Sequence, residues 1–63
     1  MGHIRIRISK KQAKELIQQF QKDSSFDFHK SKDDEYYTII PKKGCSIIHI
    51  YKFGKYYYLE IFS

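Results

Sequence analysis

Apolar and polar residues alternate strictly from His3 to Ile8, His-Ile-Arg-Ile-Arg-Ile. That period of two predicts a β-strand with Ile4, Ile6 and Ile8 inward and His3, Arg5 and Arg7 outward. The period changes at Ser9. Ser9-Lys10-Lys11-Gln12 fits a capping box, and Ala13, Leu16, Ile17 and Phe20 recur at helical spacing. A helix is therefore predicted over residues 10–22, with Ile8 stapled onto Ala13. Asp23-Ser24-Ser25 ends it. Phe26-Asp27-Phe28 reads as a short strand with both rings inward, and residues 31–35 read as a polar turn. Tyr36 to Ile40 forms a further strand closed by Pro41, and Lys42-Lys43-Gly44 turns the chain.

Residues 45–53 and 56–62 hold the richest run of Ile, Tyr and Phe, and they read as a hairpin around Gly54. A two-residue turn at Gly54-Lys55 sets Phe53 against Tyr56, Tyr51 against Tyr58, His49 against Glu60 and Ile47 against Phe62. The other face then holds Ile48, Ile50, Tyr57, Leu59 and Ile61, which is the predicted core face, with Lys52 opposite Tyr57. A solvated face is ordinarily polar. This one carries several aromatic rings, so it is either covered or built to bind.

The predicted order is β-α-β-β-β-β: an antiparallel α+β sheet with one amphipathic helix on one face. The helix stripe would cover Ile48, Ile50, Leu59 and Ile61. Arg5, Arg7, His49, Tyr51 and Tyr58 would lie on the opposite face, with Lys55 at the rim. With 63 residues the chain reads as one small domain. A core of this size rarely supplies more than about 3–5 kcal/mol, and Cys45, the only cysteine, excludes an intrachain disulfide. Self-association as a homodimer is one way to gain stability. The lone cysteine, read as half-buried, suggests a reducing compartment. No apolar run reaches membrane-spanning length and Arg5 and Arg7 interrupt the first isoleucines, so the chain reads as cytoplasmic.

The net charge is +5 and the pI about 9.4. Residues 1–22 carry six Lys/Arg and one Glu, residues 23–35 five acids and two Lys, and residues 36–63 four Lys and one Glu. Two basic segments flanking an acidic one favour a phosphate-bearing or acidic partner and argue against a DNA-mimic inhibitor, which would need a strongly acidic surface.

Two kinds of binding follow. In the first, Tyr51, Tyr58 and Tyr56 stack bases while Arg5, Arg7, Lys42, Lys43, Lys52 and Lys55 hold phosphates. Lys10 and Lys11 oppose the helix dipole and hint at the same role, but the run reads first as a solvated helix face. In the second, Ile47, Tyr51, Phe53, Tyr58 and Phe62 form a protein interface, the partner being a second copy or a larger target that this chain inhibits or regulates.

Arg5 and Arg7 also read simply as protection of an edge strand. His49 opposite Glu60 is the best pair for acid–base chemistry, as a small ribonuclease would need, but it reads far more readily as a cross-strand ion pair. Asp33, Asp34 and Glu35 lack the alternating spacing of a calcium loop. No metal or phosphate-loop motif is present, and no cofactor is expected. The strand–helix–strands order resembles small ribonuclease toxins of toxin–antitoxin pairs in topology, with no residue motif to carry an active site across. The expected function is non-catalytic binding through the outer sheet face.

Overall fold

The computed structural model describes residues 2–32 and 35–63; Asp33 and Asp34, and with them most of the acidic turn, lie outside that range. The elements are β1 (His3–Ile8), α1 (Lys10–Lys22), β2 (Phe26–Lys30), β3 (Tyr36–Pro41), β4 (Ile47–Phe53) and β5 (Tyr56–Phe62). All five strands form one antiparallel sheet in the order β1-β5-β4-β3-β2. The last strand therefore lies beside the first, and β1 and β2 are the edges.

Local chemistry fixes each boundary. The Ser9 hydroxyl accepts from the Gln12 N–H at 3.0 Å while the Gln12 side-chain carbonyl accepts from the Ser9 N–H at 2.9 Å, completing the capping box. At the other end, the Asp23 N–H reaches the Phe20 carbonyl and the Asp23 carboxylate accepts from the Ser25 N–H at 2.9 Å. Gly54 has φ of 65°, a left-handed conformation that a side chain would strain. The β4–β5 register is the one the turn predicts, from Phe53 opposite Tyr56 to Ile47 opposite Phe62. The strand begins at Ile47, two residues later than its composition suggests. Cys45 stays in the connecting loop and is exposed rather than half-buried, because the Gly44 turn has not yet delivered the chain to the sheet.

Ala13, Ile39 and Ile50 are fully buried between helix and sheet. Around them pack Ile8, Leu16, Ile17, Phe20, Phe26, Phe28, Tyr37, Ile48, Tyr57 and Leu59. Phe20 and Phe26 meet edge to face at 5.0 Å and hold the end of α1 against β2. The helix thus starts beside the end of β1, touches β5 and finishes over β2. That crossing leaves one corner bare. Ile4 and Ile6 are on the helix side of the sheet, but they are 55% and 48% exposed. The expected inward row of β1 is closed only at Ile8. One helix of 13 residues, about 20 Å long, spans the sheet from edge to edge along a single diagonal.

Conservative truncations should read out this difference. Ile39→Val should destabilise the protein by about 1 kcal/mol, since it opens a void in the packed centre. Ile6→Val should stay within about 0.5 kcal/mol. Urea denaturation of both variants measures the two values.

Candidate nucleic-acid interface

The face turned away from α1 carries its own network of rings and charges. Arg5 sits over the Tyr58 ring at 4.9 Å, Tyr58 meets Tyr51 at 5.7 Å, and Tyr51 stacks on Tyr36 at 5.4 Å with planes 18° apart. This row crosses β1, β5, β4 and β3. A second row runs along the end of the sheet nearest the β3–β4 loop. There His3 stacks on Phe62 at 4.5 Å, and Phe62 meets His49 edge-on at 5.5 Å. His49 also contacts Tyr36 and lies 3.3 Å from the Thr38 hydroxyl through Nδ1.

Glu60 lies between the two rows. The Tyr51 hydroxyl donates to one carboxylate oxygen, and His3 Nε2 lies 2.6 Å from the other. Hydrogen bonds from Tyr51 and then His3 hold the Glu60 pKa below its ordinary value, although partial burial opposes this. The same bond, with burial and the carboxylate charge, raises the Tyr51 pKa. His49 is directly across from Glu60 in the register, yet the carboxylate is taken by Tyr51 and His3. No His49–Glu60 acid–base pair forms.

The expected binding residues separate into three places. Arg5, Tyr58 and Tyr51 belong to the central row, where ring faces already meet rings or a guanidinium and the Glu60 carboxylate lies alongside. Lys42 and Lys43 line a shallow groove of about 430 Å³ with Ser25, Phe26 and Pro41 at one end of the sheet. Arg7, Tyr56, Lys52 and Lys55 gather at the other end, the full length of β4 away, roughly 20 Å.

At that end Phe53 and Tyr56 flank Gly54. They are 72% and 48% exposed, and Arg7 lies over the Tyr56 ring at 4.6 Å. A groove of about 350 Å³ beside them is lined by Ile8, Ser9, Lys10, Lys52, Gly54, Lys55, Tyr56 and Tyr57. Lys52 reaches it from the helix side of the sheet, Lys55 from the turn and Lys10 from the first turn of α1, which holds no acidic residue.

Of the expected interface residues, Ile47, Phe53 and Phe62 are exposed, whereas Tyr51 and Tyr58 are half-buried by their neighbours. The sequence reading missed two members. Tyr36 extends the central row and His3 completes the Glu60 bracket; both depend on strand order, which alternation within one strand does not encode. Among the described residues, no cluster of His, Cys, Asp or Glu is arranged to hold a metal ion, and no helix is long and apolar enough to cross a membrane. No family model, curated protein or solved structure matches the chain. The architecture defines the class: a small α+β protein with an open aromatic sheet face.

The bracket around Glu60 should show in the pH dependence of stability. A carboxylate whose folded pKa is lowered contributes stability above its ordinary value of 4.5, lost as pH falls through the folded pKa. Tyr51, raised above 10.0, contributes stability below that value, lost as pH rises through its folded pKa. Glu60→Gln should therefore flatten the acid limb of a melting-temperature profile below pH 4.5. An unchanged acid limb would place the acid sensitivity on other groups.

Proposed function

We propose that this protein is a non-catalytic binding module that takes single-stranded nucleic acid at the tip of the β4–β5 hairpin. A base stacks on Phe53, with Tyr56 beside it under the Arg7 guanidinium, and phosphates meet Lys52, Lys55, Lys10 and Arg7. The observation that carries this reading is the exposure of Phe53, 72%, next to a groove lined by three lysines from three different elements. Base-on-ring stacking tolerates any sequence, and lysines act as point charges along a backbone. The central row of the face plays a supporting part, because a phosphate lying over it would meet the Glu60 carboxylate. The excess of basic residues draws a polyanion toward this end, and a single cysteine fits a reducing compartment such as the cytoplasm.

A second reading, a protein partner or a second copy of the chain, is favoured by the far end of the same face. There Ile40, Ile47 and Phe62 are each more than a third exposed on adjacent strands. Such an apolar contact would be nearly indifferent to salt.

Fluorescence anisotropy with oligothymidylate tests the first reading. Phe53→Ala should weaken binding by about tenfold, one stacked base. Replacing Lys52 and Lys55 with glutamine should lower the slope of log affinity against log salt by about 1.4. Binding unaffected by either change would remove the hairpin tip from the reading. Binding insensitive to salt would favour the protein interface.

A further inference from the structure

We propose that the free edge of β1 is a docking site for an extended acidic–apolar segment of another protein, added to the sheet as a sixth strand. The register shows which backbone groups are available. Gly2 and Ser63 exchange both backbone hydrogen bonds, at 3.1 and 2.9 Å. By alternation Ile4 with Ile61 and Ile6 with Leu59 are bonded pairs of the same kind. His3, Arg5 and Arg7 consequently turn their N–H and C=O groups away from β5, presenting three donors and three acceptors at the sheet edge.

The side chains at this edge specify the incoming strand. Residues facing the helix side would lie beside Ile4 and Ile6, which α1 leaves uncovered, and beside the groove of about 210 Å³ formed by Ile8, Gln12, Glu15, Leu16 and Gln19. Those residues are apolar. Residues facing the other side would stand opposite Arg5 and Arg7, whose guanidinium groups lie over the Tyr58 and Tyr56 rings, while Glu60, the partner of Arg5 on β5, lies one strand further from the incoming chain. Those residues are acidic. The partner sequence is thus an alternation of carboxylates with aliphatic side chains, recognised by backbone pairing.

A second copy of the chain fits this edge poorly. Two β1 strands related by a two-fold axis with both helices on one side pair Arg5 with Arg5, Arg5 with Arg7, or Arg5 with His3 of the other copy. The first two registers set guanidinium groups opposite one another and the third sets one opposite an imidazole, and none places a carboxylate opposite either arginine. The arginines therefore select at this edge, discouraging self-pairing and favouring an acidic strand. β2, the other edge, is five residues long and carries Asp27, which makes it an internal control.

The test titrates the protein with a capped peptide of alternating glutamate and valine, followed by amide hydrogen exchange. The acidic peptide should slow exchange at His3, Arg5 and Arg7 and leave Phe28, whose N–H turns away from β3 at the other edge, unchanged. A lysine–valine peptide should bind at least about tenfold more weakly. The double variant Arg5→Glu with Arg7→Glu should reverse that preference, and the neutral pair Arg5→Gln with Arg7→Gln should abolish it. The proposal is overturned if both peptides bind equally or not at all, or if protection appears on β2. It is also overturned if His3, Arg5 and Arg7 are already protected in the free protein and sedimentation shows a dimer.

Discussion

One helix cannot cover two sheet faces, and the structure is organised around that shortage. α1 buries Ala13 against Ile39 and Ile50 and seals the centre of one face. Everything beyond its diagonal must find other partners or remain exposed. The outer face makes contacts of its own, with rings and guanidinium groups meeting across four strands. Each cation–π contact of this kind contributes about 0.5–1 kcal/mol at an exposed site, so the rows reinforce the sheet as well as presenting a surface. The corner of β1 has no such substitute, and Ile4 and Ile6 remain in solvent.

Glu60 decides how the outer face divides. Its carboxylate accepts from Tyr51 and lies against His3, which ties β1, β5 and β4 together at one point. It also places negative charge where a phosphate would otherwise be attracted. The accessible rings and the converging lysines both lie at the hairpin tip, away from that charge. Phe53 and Tyr56 flank the turn there because Gly54 adopts the left-handed φ of 65° that reverses the chain, a conformation a side chain would strain.

Much of this was legible in the sequence, and the limits were physical. Ser9 and Gln12 announce the helix start because the capping box is local, three residues apart. The hairpin register follows from Gly54 and the period of two, so the ring pairs Tyr51–Tyr58 and Phe53–Tyr56 could be paired in advance. Strand order could not. Nothing within β1 says that it pairs with β5, so the contact of His3 with Glu60, 57 positions apart, was hidden. The direction of α1 across the sheet was equally invisible, and it determines that Ile8 is covered while Ile4 and Ile6 are not. The six candidate cations looked like one set in the sequence. The length of β4 separates Lys42 and Lys43 from the rest, while Lys10 from the helix joins the groove.

Chemical-shift mapping of the protein during titration with oligothymidylate separates the hairpin tip from the rest of the outer face. The largest changes should fall on Phe53, Lys55, Tyr56, Arg7 and Lys10, with Tyr36, Tyr51 and Glu60 almost unmoved. Changes centred on Tyr51, Tyr58 and Glu60, or on Lys42 and Lys43, would contradict the hairpin-tip reading, as would a spectrum that does not change.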